Sequence, residues 1–447
     1  MATYHEIADA IIADIRAGRL RPGDRLPPQR EFARSRGIAA STAQRVYAEL
    51  GRRGVVSGEV GRGTFVRLAP PSARPALAEP SSLRVDLDLN FPILPEQDAL
   101  LSSSLAELMQ RPNEWRTAFG PAAVGGTPTL QRVAAAFFSS HGGLPSTDCM
   151  LFAGSGKQAI AAAVAATVDR GQSLGVETLT YPFIKTIAQQ LGVRLVSLPL
   201  DGEGITPAAL ADAHRNLGVG AVYLQPTLHN PLGITMSPAR RAQLADIVST
   251  YGMVAIEDAV YAFLNPDVNS LRELAPEQVV LVDSLSKRLA PGLTLGVITA
   301  PRRLREKLER AILTGACVAP SLAQAACARW MADGTAAKIL DAKRLDAAAR
   351  QKLAHQWLGR FDLRADHRAF HCWLPLPESW RADAFVAAAA RRNIAITPAS
   401  AFAVAPGHVP NAVRLALSAP PMDVLSDALE LLVAILEGGS DAPLPAE

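Results

Sequence analysis

The sequence has few cysteines, no long apolar run and no lysine before Lys157. Its 4 cysteines form no CxxC pair, which argues against a disulfide scaffold and a thiolate zinc site and fits a reducing compartment. The longest apolar run, residues 159–166, is too short to span a bilayer. The N-terminal stretch has acidic residues within its apolar part and no small-residue cleavage site. We therefore expect a soluble protein of the cytoplasm.

Length and charge indicate a chain of several domains with different surfaces. The 447 residues are 49% hydrophobic and 19% charged, a globular composition. Residues 1–67 hold 12 arginines and 7 acidic residues, a net charge of +5, whereas the remainder carries −2. A small arginine-rich unit ahead of a nearly neutral one suggests contact with nucleic acid, and a solvated basic face is the alternative.

Three helices and a hairpin are predicted within residues 1–67. Apolar residues recur on one face of the first helix, a second helix runs from Pro28 to Gly37, and a third covers about 40–51. Strands at 55–58 and 64–67 follow, with a glycine-rich turn between them. This order predicts a winged helix-turn-helix, and the proline-rich residues 68–85 predict a linker after it.

After the linker, buried strands alternate with helices. The strand candidates are residues 150–153, 173–176, 194–198, 221–224, 254–256, 279–282 and 295–299. This pattern predicts an α/β layered domain within residues 86–435. Helices mixed with strands at 369–374, 395–398 and 412–417 predict a smaller α/β domain from about residue 330. We expect residues 436–447 to be a disordered tail.

The early residues of the third helix are the predicted DNA-reading surface, because a helix-turn-helix presents them to base edges and phosphates. They are Ala40, Ser41, Thr42, Gln44 and Arg45. Two arginines could also reach a phosphate or a groove edge: Arg30 on the preceding helix and Arg62 at the tip of the wing.

Three motifs, PGDRLPPQRE, STAQRVYAEL and GRGTFV, make residues 4–67 resemble the GntR family of winged-helix transcription regulators. The resemblance implies DNA contacts by Arg30, Thr42, Gln44, Arg45 and Gly61. A winged helix used only as a protein interface is the alternative.

The larger unit contains the residue types that pyridoxal 5'-phosphate (PLP) chemistry requires. Lys287 follows a buried strand and can form a Schiff base, which a lowered pKa would favour. Asp258 ends another strand and can pair with the pyridine nitrogen. Tyr261 and Asn230 can donate hydrogen bonds to the phenolic oxygen, and Tyr181 can stack on the ring.

A turn with the sequence AGSGKQAI, residues 153–160, joins a strand to a helix. Backbone N–H groups at that helix N-terminus, together with Ser155, suit a phosphate group. A P-loop is excluded, because Leu151 and Gln158 stand where its motif needs Gly and Ser or Thr. Ser284 and Ser286 precede Lys287 and could add phosphate contacts.

The series GSGKQA, TYPF, HNPLG, IEDAVY, SLSKRLAPG and AVRLAL makes residues 86–435 resemble fold-type I aminotransferases. Together with its N-terminal part, the chain resembles the MocR regulators, a GntR subfamily with an aminotransferase-like domain. The resemblance implies covalent PLP on Lys287, the roles given above for the ring-binding residues, and an effector or substrate carboxylate on Arg414. It implies phosphate contacts from Ser155, Gly156, Ser284 and Ser286.

One position departs from that family. Thr294 stands where the family usually has an arginine that neutralises the cofactor phosphate. Lys157 in the phosphate turn, or Arg288 beside the Schiff-base lysine, could compensate.

Two functions are compatible with these residues, and a structural relic that has lost the cofactor is a third alternative. In the first, the chain is a homodimeric transcription regulator that binds double-stranded DNA and senses PLP or an amino compound. In the second, it is an active aminotransferase with a DNA-binding domain attached. A zinc site at His367 and His371 is not expected, because no glutamate partner accompanies them.

Overall fold

The computed structural model describes residues 4–16, 19–20, 24–52, 55–59, 63–66, 83–138, 147–292, 294–405 and 409–438. Across these ranges the architecture is the predicted one, a winged helix followed by a layered α/β domain with a smaller α/β domain at its end. None of the helices in these ranges is long and apolar enough to cross a membrane.

The N-terminal unit is built on a three-helix core. Its elements are α1 (Tyr4–Arg16), β1 (Arg25–Leu26), α2 (Gln29–Arg36), α3 (Ala40–Arg52), β2 (Val56–Glu59) and β3 (Gly63–Val66). Apolar residues recur every three or four positions along α3, so Ala43, Val46, Tyr47 and Leu50 form one buried stripe. The strands form an antiparallel sheet in the order β1-β3-β2. Strand β1, with two residues, has no sequence pattern that predicts it.

The chain re-enters the described region at residue 83 and contributes β4 (Val85–Asp86), α4 (Gln97–Met109), α5 (Pro112–Ala118) and α6 (Pro128–Phe137). Strand β4 pairs in parallel with a strand near the C-terminus. Val85 therefore belongs to the folded domain, although the linker was predicted to extend to it. Residues 68–82 of that linker lie outside the described ranges.

The large domain alternates strands and helices. Its elements are β5 (Met150–Ala153), α7 (Gly156–Thr167), β6 (Ser173–Glu177), α8 (Phe183–Leu191), β7 (Arg194–Leu198), β8 (Leu200–Asp201), β9 (Gly204–Ile205), α9 (Pro207–Leu217), β10 (Ala221–Leu224), α10 (Pro238–Thr250), β11 (Val254–Asp258), α11 (Leu271–Leu274), β12 (Val279–Ser284), α12 (Leu285–Arg288), β13 (Gly296–Thr299), α13 (Arg305–Thr314) and α14 (Ser321–Ala332).

All seven strands predicted for this domain lie in one sheet, in the order β5-β13-β12-β11-β10-β6-β7. Strand β13 is antiparallel to both of its neighbours, and the other pairs are parallel. The strands are apolar along their length because helices cover both faces of such a sheet. The carboxyl ends of β10, β11 and β12 meet at one edge, which is where an open α/β sheet binds ligands.

The small domain closes the chain. It consists of α15 (Thr335–Leu358), β14 (His371–Pro375), α16 (Ala382–Arg391), β15 (Ile394–Ala395), β16 (Thr397–Pro398), β17 (Ala412–Ala416) and α17 (Met422–Gly438). Strands β14, β17 and β16 form a sheet, whereas β15 pairs with β4. The predicted strand over residues 395–398 is thus divided between two sheets. Helix α17 ends at Gly438, so the first residues assigned to a disordered tail are helical; residues 439–447 lie outside the described ranges.

Five single 3₁₀ turns complete these elements. They cover Thr147–Cys149, Ala262–Leu264, Arg302–Leu304, Gly359–Phe361 and Ala399–Ala401.

Candidate functional site

A cavity of about 270 Å³ lies at the carboxyl ends of β11 and β12, where the large sheet meets the small domain. Eleven sequence-predicted residues line it: Ser155, Gly156, Lys157, Tyr181, Asn230, Asp258, Tyr261, Ser284, Ser286, Lys287 and Arg414. These residues come from positions spread over some 260 residues of sequence, and the fold brings them to one place.

Lys287 lies in α12, directly after β12, and reaches into the cavity. Its Nζ donates a hydrogen bond to the main-chain carbonyl of Asn90 and lies 3.5 Å from the ring centroid of Phe91. Burial, followed by the positive charges of Arg414 and Lys157, lowers the pKa of Lys287 well below its usual value. A lowered pKa favours the neutral amine, which is the form that attacks a carbonyl carbon.

A second lysine holds the backbone at Lys287. Lys343, on α15, is fully buried, and its Nζ donates hydrogen bonds to the main-chain carbonyls of Lys287 and Leu289, at 3.0 and 2.6 Å. Burial lowers the pKa of Lys343 to about 7. Lys343 thus holds the backbone around Lys287, although it contributes nothing to the cavity wall.

Asp258 ends β11, and its carboxylate is held by two side-chain donors. The Tyr223 hydroxyl donates to Oδ2 at 2.6 Å, and the Gln225 amide donates to the same oxygen at 3.0 Å. Burial raises the pKa of Asp258 to about 6, although these hydrogen bonds oppose the rise. An ionised Asp258 is positioned to face a cationic nitrogen in the cavity.

Aromatic and amide groups line the cavity near Asp258. The Tyr261 hydroxyl accepts a hydrogen bond from the Asn90 side-chain amide at 3.0 Å, and burial raises the pKa of Tyr261 to about 12. Asn230 precedes a cis peptide bond to Pro231, and its backbone N–H donates to Gln225 Oε1 at 3.2 Å. Tyr181 contributes a ring to the cavity wall.

Small hydroxyl residues around the start of α7 form another part of the cavity wall. Ser155 caps that helix, and its Oγ accepts from the backbone N–H of Gln158 at 3.2 Å. Gly156 comes so close to Ser284 that an added Cβ would lie 2.8 Å from Ser284 Cβ. The Ser284 and Ser286 hydroxyls lie 3.1 Å apart. Helix N–H groups and hydroxyls at this point form a suitable anion cradle.

Arg414 lies on β17, opposite Thr397 in the neighbouring strand. Its Nη2 donates to the main-chain carbonyl of Asp88 at 2.5 Å and to Thr397 Oγ1 at 3.0 Å. Nε of this buried guanidinium has no hydrogen-bond partner within the described part of the chain. A fixed, buried guanidinium with donor capacity to spare suits a planar carboxylate.

Arg288 is the predicted cofactor residue that does not line this cavity. Its guanidinium forms a buried ion pair with Asp283 and lies 4.9 to 5.9 Å from the ring centroids of Phe137, Phe138 and Phe263. It faces a separate cavity of about 280 Å³. The reason is helical geometry, because consecutive residues of α12 point in directions about 100° apart.

Several residues of the site were missed by sequence reasoning. Asp88, Asn90 and Phe91 line the cavity but belong to no motif, since their role depends on contacts with residues far along the chain. Tyr223 and Gln225 did leave a signal, a tyrosine within an otherwise apolar buried strand and a glutamine directly after it.

The predicted DNA-reading residues lie on the surface of the winged helix. Arg30, Ser41, Gln44 and Arg45 are exposed, and Thr42 is half-buried. The other face of α3 packs in the core, where the Tyr47 hydroxyl donates to the Pro27 carbonyl at 2.5 Å. Gly61 and Arg62, the predicted wing contacts, lie outside the described residues.

His367 and His371 lie in different surroundings. His371 is fully buried, and its Nε2 lies 3.0 Å from the main-chain carbonyl of His229. Burial lowers the pKa of His371 to about 3. The side chain of His367 is exposed beside Asp366.

Comparison with known families divides the chain in the same way as the fold. The family described as aminotransferase class I and II matches residues 85–432, and the family described as bacterial regulatory proteins, gntR family, matches residues 3–66. The chain is 22% identical to the kynurenine aminotransferase of Pyrococcus horikoshii, whose crystal structure covers 80% of this chain with a TM-score of 0.73; the match spans 91% of that structure.

Similar proteins match two thirds or more of the chain. The HTH-type transcriptional regulator YdeF of Bacillus subtilis is 31% identical over 97% of this chain and 94% of its own length. The vitamin B6 salvage pathway transcriptional repressor PtsJ of Salmonella typhimurium is 27% identical over 93% of this chain and 94% of its length. The probable rhizopine catabolism regulatory protein MocR of Rhizobium meliloti is 26% identical over 78% of this chain and 76% of its length.

Proposed function

The chain belongs to the aminotransferase class I and II family and, through its N-terminal domain, to the GntR-type regulators, and from this premise we propose that it controls transcription by binding DNA in response to PLP bound at Lys287. The observation that carries the proposal is the convergence of a buried lysine with a lowered pKa, a buried aspartate and an anion cradle in one cavity. The vitamin B6 pathway named for one relative supports the same ligand class. A protein that binds chromosomal DNA in this way acts in the cytoplasm.

The residues present fit PLP. Asn230 Oδ1 and Asn90 Oδ1 are buried without hydrogen-bond partners among the described residues, and both residues line the cavity. Such unpaired polar atoms are costly unless a ligand or water satisfies them. The charges also suit a phosphorylated pyridine, because basic side chains and the carboxylate of Asp258 line the same cavity.

Each residue has a task that its surroundings explain. Lys287, whose pKa is lowered by burial, would be the nucleophile for an aldehyde. Tyr223 and Gln225 fix the carboxylate of Asp258, which would hold a proton on the ring nitrogen of the bound cofactor. Tyr261 and Asn230 would donate hydrogen bonds to the phenolic oxygen of the cofactor. When bound, PLP supplies an electrophilic aldehyde and an electron-withdrawing ring.

The remaining residues anchor and orient. Tyr181 offers its ring for stacking. Arg414 would bind the carboxylate of an amino compound. The phosphate would lie on the cradle formed by Ser155, Gly156, Ser284 and Ser286. Basic side chains that line the same cavity would neutralise its negative charge.

The stretch between the winged helix and the cavity gives a route from ligand to DNA. Strand β4 follows the predicted linker, and residues 88–91 then form part of the cavity wall. This stretch is bound by Lys287 at the Asn90 carbonyl, by Tyr261 at the Asn90 side chain and by Arg414 at the Asp88 carbonyl. Ligands that engage those side chains compete with the same bonds, so they alter how the linker is anchored.

A homodimer is part of the proposal. Four large apolar side chains, Ile93, Met109, Phe119 and Leu322, are 40 to 67% exposed. They lie on or beside α4, α5 and α14, which pack together. We infer that a second copy of the chain covers this face. Two winged helices would then read repeated half-sites on DNA, and sedimentation should show a dimer at micromolar concentration.

An active aminotransferase is the second candidate, because Lys287, Asp258 and Arg414 converge as transamination requires. Screening amino compounds for released keto product separates the two functions. Sustained multiple turnover would favour the enzyme, and spectral change without released product would favour the regulator.

The experiment that tests the cofactor site is reductive trapping. Full-length protein is incubated with PLP, reduced with borohydride and mapped by mass spectrometry. We expect one phosphopyridoxyl group, on Lys287, and none in the Lys287→Ala variant. An adduct that persists in that variant would remove the assignment.

A further inference from the structure

The basic side chains of the cavity differ in whether other groups already occupy them, and therefore in whether they can bind a phosphate. Three basic side chains line it, Lys157, Lys287 and Arg414. Lys287 is committed to the aldehyde under the proposed function. Arg414 is held by Thr397 and the Asp88 carbonyl, with the Asp88 carboxylate 3.9 Å away. Lys157 is the remaining cation.

Lys157 lies beside the anion cradle. It is the second residue of α7, directly after Gly156 and two positions after the cap residue Ser155. Lys157 lines the cavity, and its Nζ lies 4.7 Å from the ring centroid of Phe183, a cation–π contact. Burial alone lowers the pKa of Lys157, and no carboxylate contributes to that shift. None of the ion pairs among the described residues involves Lys157.

The other cation considered from the sequence is not available. Arg288 is fully engaged by Asp283 and by three phenylalanine rings, and it faces a different cavity. Thr294 does line the cofactor cavity, but it carries no charge.

We propose that Lys157 supplies the positive charge that binds the phosphate group of the cofactor in this chain. The proposal rests on the proposed function, because it assigns a role within the same PLP site. A lysine provides a point charge on a flexible stem, so it can neutralise a phosphate without the fixed geometry that an arginine at position 294 would impose.

The test compares PLP with pyridoxal, which has the same ring and aldehyde but no phosphate. Absorbance titrations of the full-length protein give both affinities. In the Lys157→Gln variant we expect PLP affinity to fall about tenfold, the loss of one charge-assisted contact, while pyridoxal affinity stays within about twofold. Retained pyridoxal binding shows that the variant is folded. Lys338→Gln, on the exposed face of α15, is the matched control and should change neither affinity.

A rescue experiment tests the position of the charge. Thr294→Arg, added to Lys157→Gln, should restore most of the lost preference for PLP over pyridoxal. The role of Lys157 would be overturned if Lys157→Gln kept the preference for PLP over pyridoxal, or if it lost affinity for both ligands equally. It would also be overturned if only Arg288→Gln reduced that preference. A wild-type protein that binds neither PLP nor pyridoxal would instead overturn the proposed function itself.

Discussion

Lys287 and Asn90, 197 residues apart in sequence, are joined by a hydrogen bond from the lysine Nζ to the asparagine main-chain carbonyl. The amine proposed to bind PLP is thus also an anchor for the stretch that follows the linker. Because one amine cannot keep this bond unchanged while forming a covalent link, ligand chemistry and linker anchoring are coupled.

Covalent loading should loosen residues 88–91. We expect amide hydrogen exchange in this stretch to be faster with PLP than with pyridoxamine 5'-phosphate, which fills the same space but has no aldehyde for Lys287. Peptides from β5, an edge strand of the large sheet, serve as the internal control. Equal exchange with the two ligands would mean that the Lys287–Asn90 bond does not anchor the stretch.

Arg414 should select ligands with a carboxylate. In PLP-loaded protein, Arg414→Gln should weaken the binding of α-amino acids by about tenfold or more, because a charge-assisted pair to a buried guanidinium is lost. Amines without a carboxylate should bind as before, and Arg414→Lys should recover only part of the loss, since it keeps the charge but not the planar fork. Spectral titration measures all three, and parallel losses for both ligand classes would contradict the assignment.

Asp258 should give the cofactor-free protein a measurable pH dependence. Burial raises the pKa of Asp258 from 3.8 to about 6 in the folded chain. The unfolded chain therefore loses this proton first, and the free energy of unfolding falls as pH rises through that window. The contribution is roughly 1 to 3 kcal/mol. Denaturant unfolding at pH 4.5 and 6.5 measures this. Between the two pH values, the free energy of unfolding should decrease less in Asp258→Asn than in wild type. Identical decreases would be inconsistent with a buried Asp258 that ionises in this range.

Arg45, exposed near the start of α3, should contribute to DNA binding. Arg45→Ala should weaken affinity for a DNA fragment selected from a random pool by about tenfold, in the range of one base or phosphate contact. Arg391→Ala, an exposed arginine of the small domain, is the matched control. PLP absorbance should be the same in both variants. Unchanged DNA affinity in Arg45→Ala would place the reading surface elsewhere.

Much of the fold could be predicted from the sequence, for a physical reason. Strands buried on both faces are continuous apolar runs, and all seven large-sheet strands were predicted from that signal. Their order, and the antiparallel direction of β13, depend on long-range packing that no local pattern encodes.

In the site too, local sequence signals predict some residues, and long-range packing decides the others. Lys287 and Asp258 follow or end recognisable strands, so their position could be predicted. Asn90 acts through its main-chain carbonyl, which carries no residue-specific signal. Arg288 is adjacent to Lys287 in sequence yet faces another cavity, because consecutive residues of a helix point in different directions.

The decisive measurement is the affinity of full-length protein for its selected double-stranded DNA, with and without PLP, at one fixed salt concentration. For wild type, PLP should change the dissociation constant by about threefold or more. The Lys287→Ala variant should bind the same DNA with one dissociation constant whether or not PLP is present. A wild-type affinity that PLP leaves unchanged, or a PLP effect that survives in Lys287→Ala, would contradict regulation through this site.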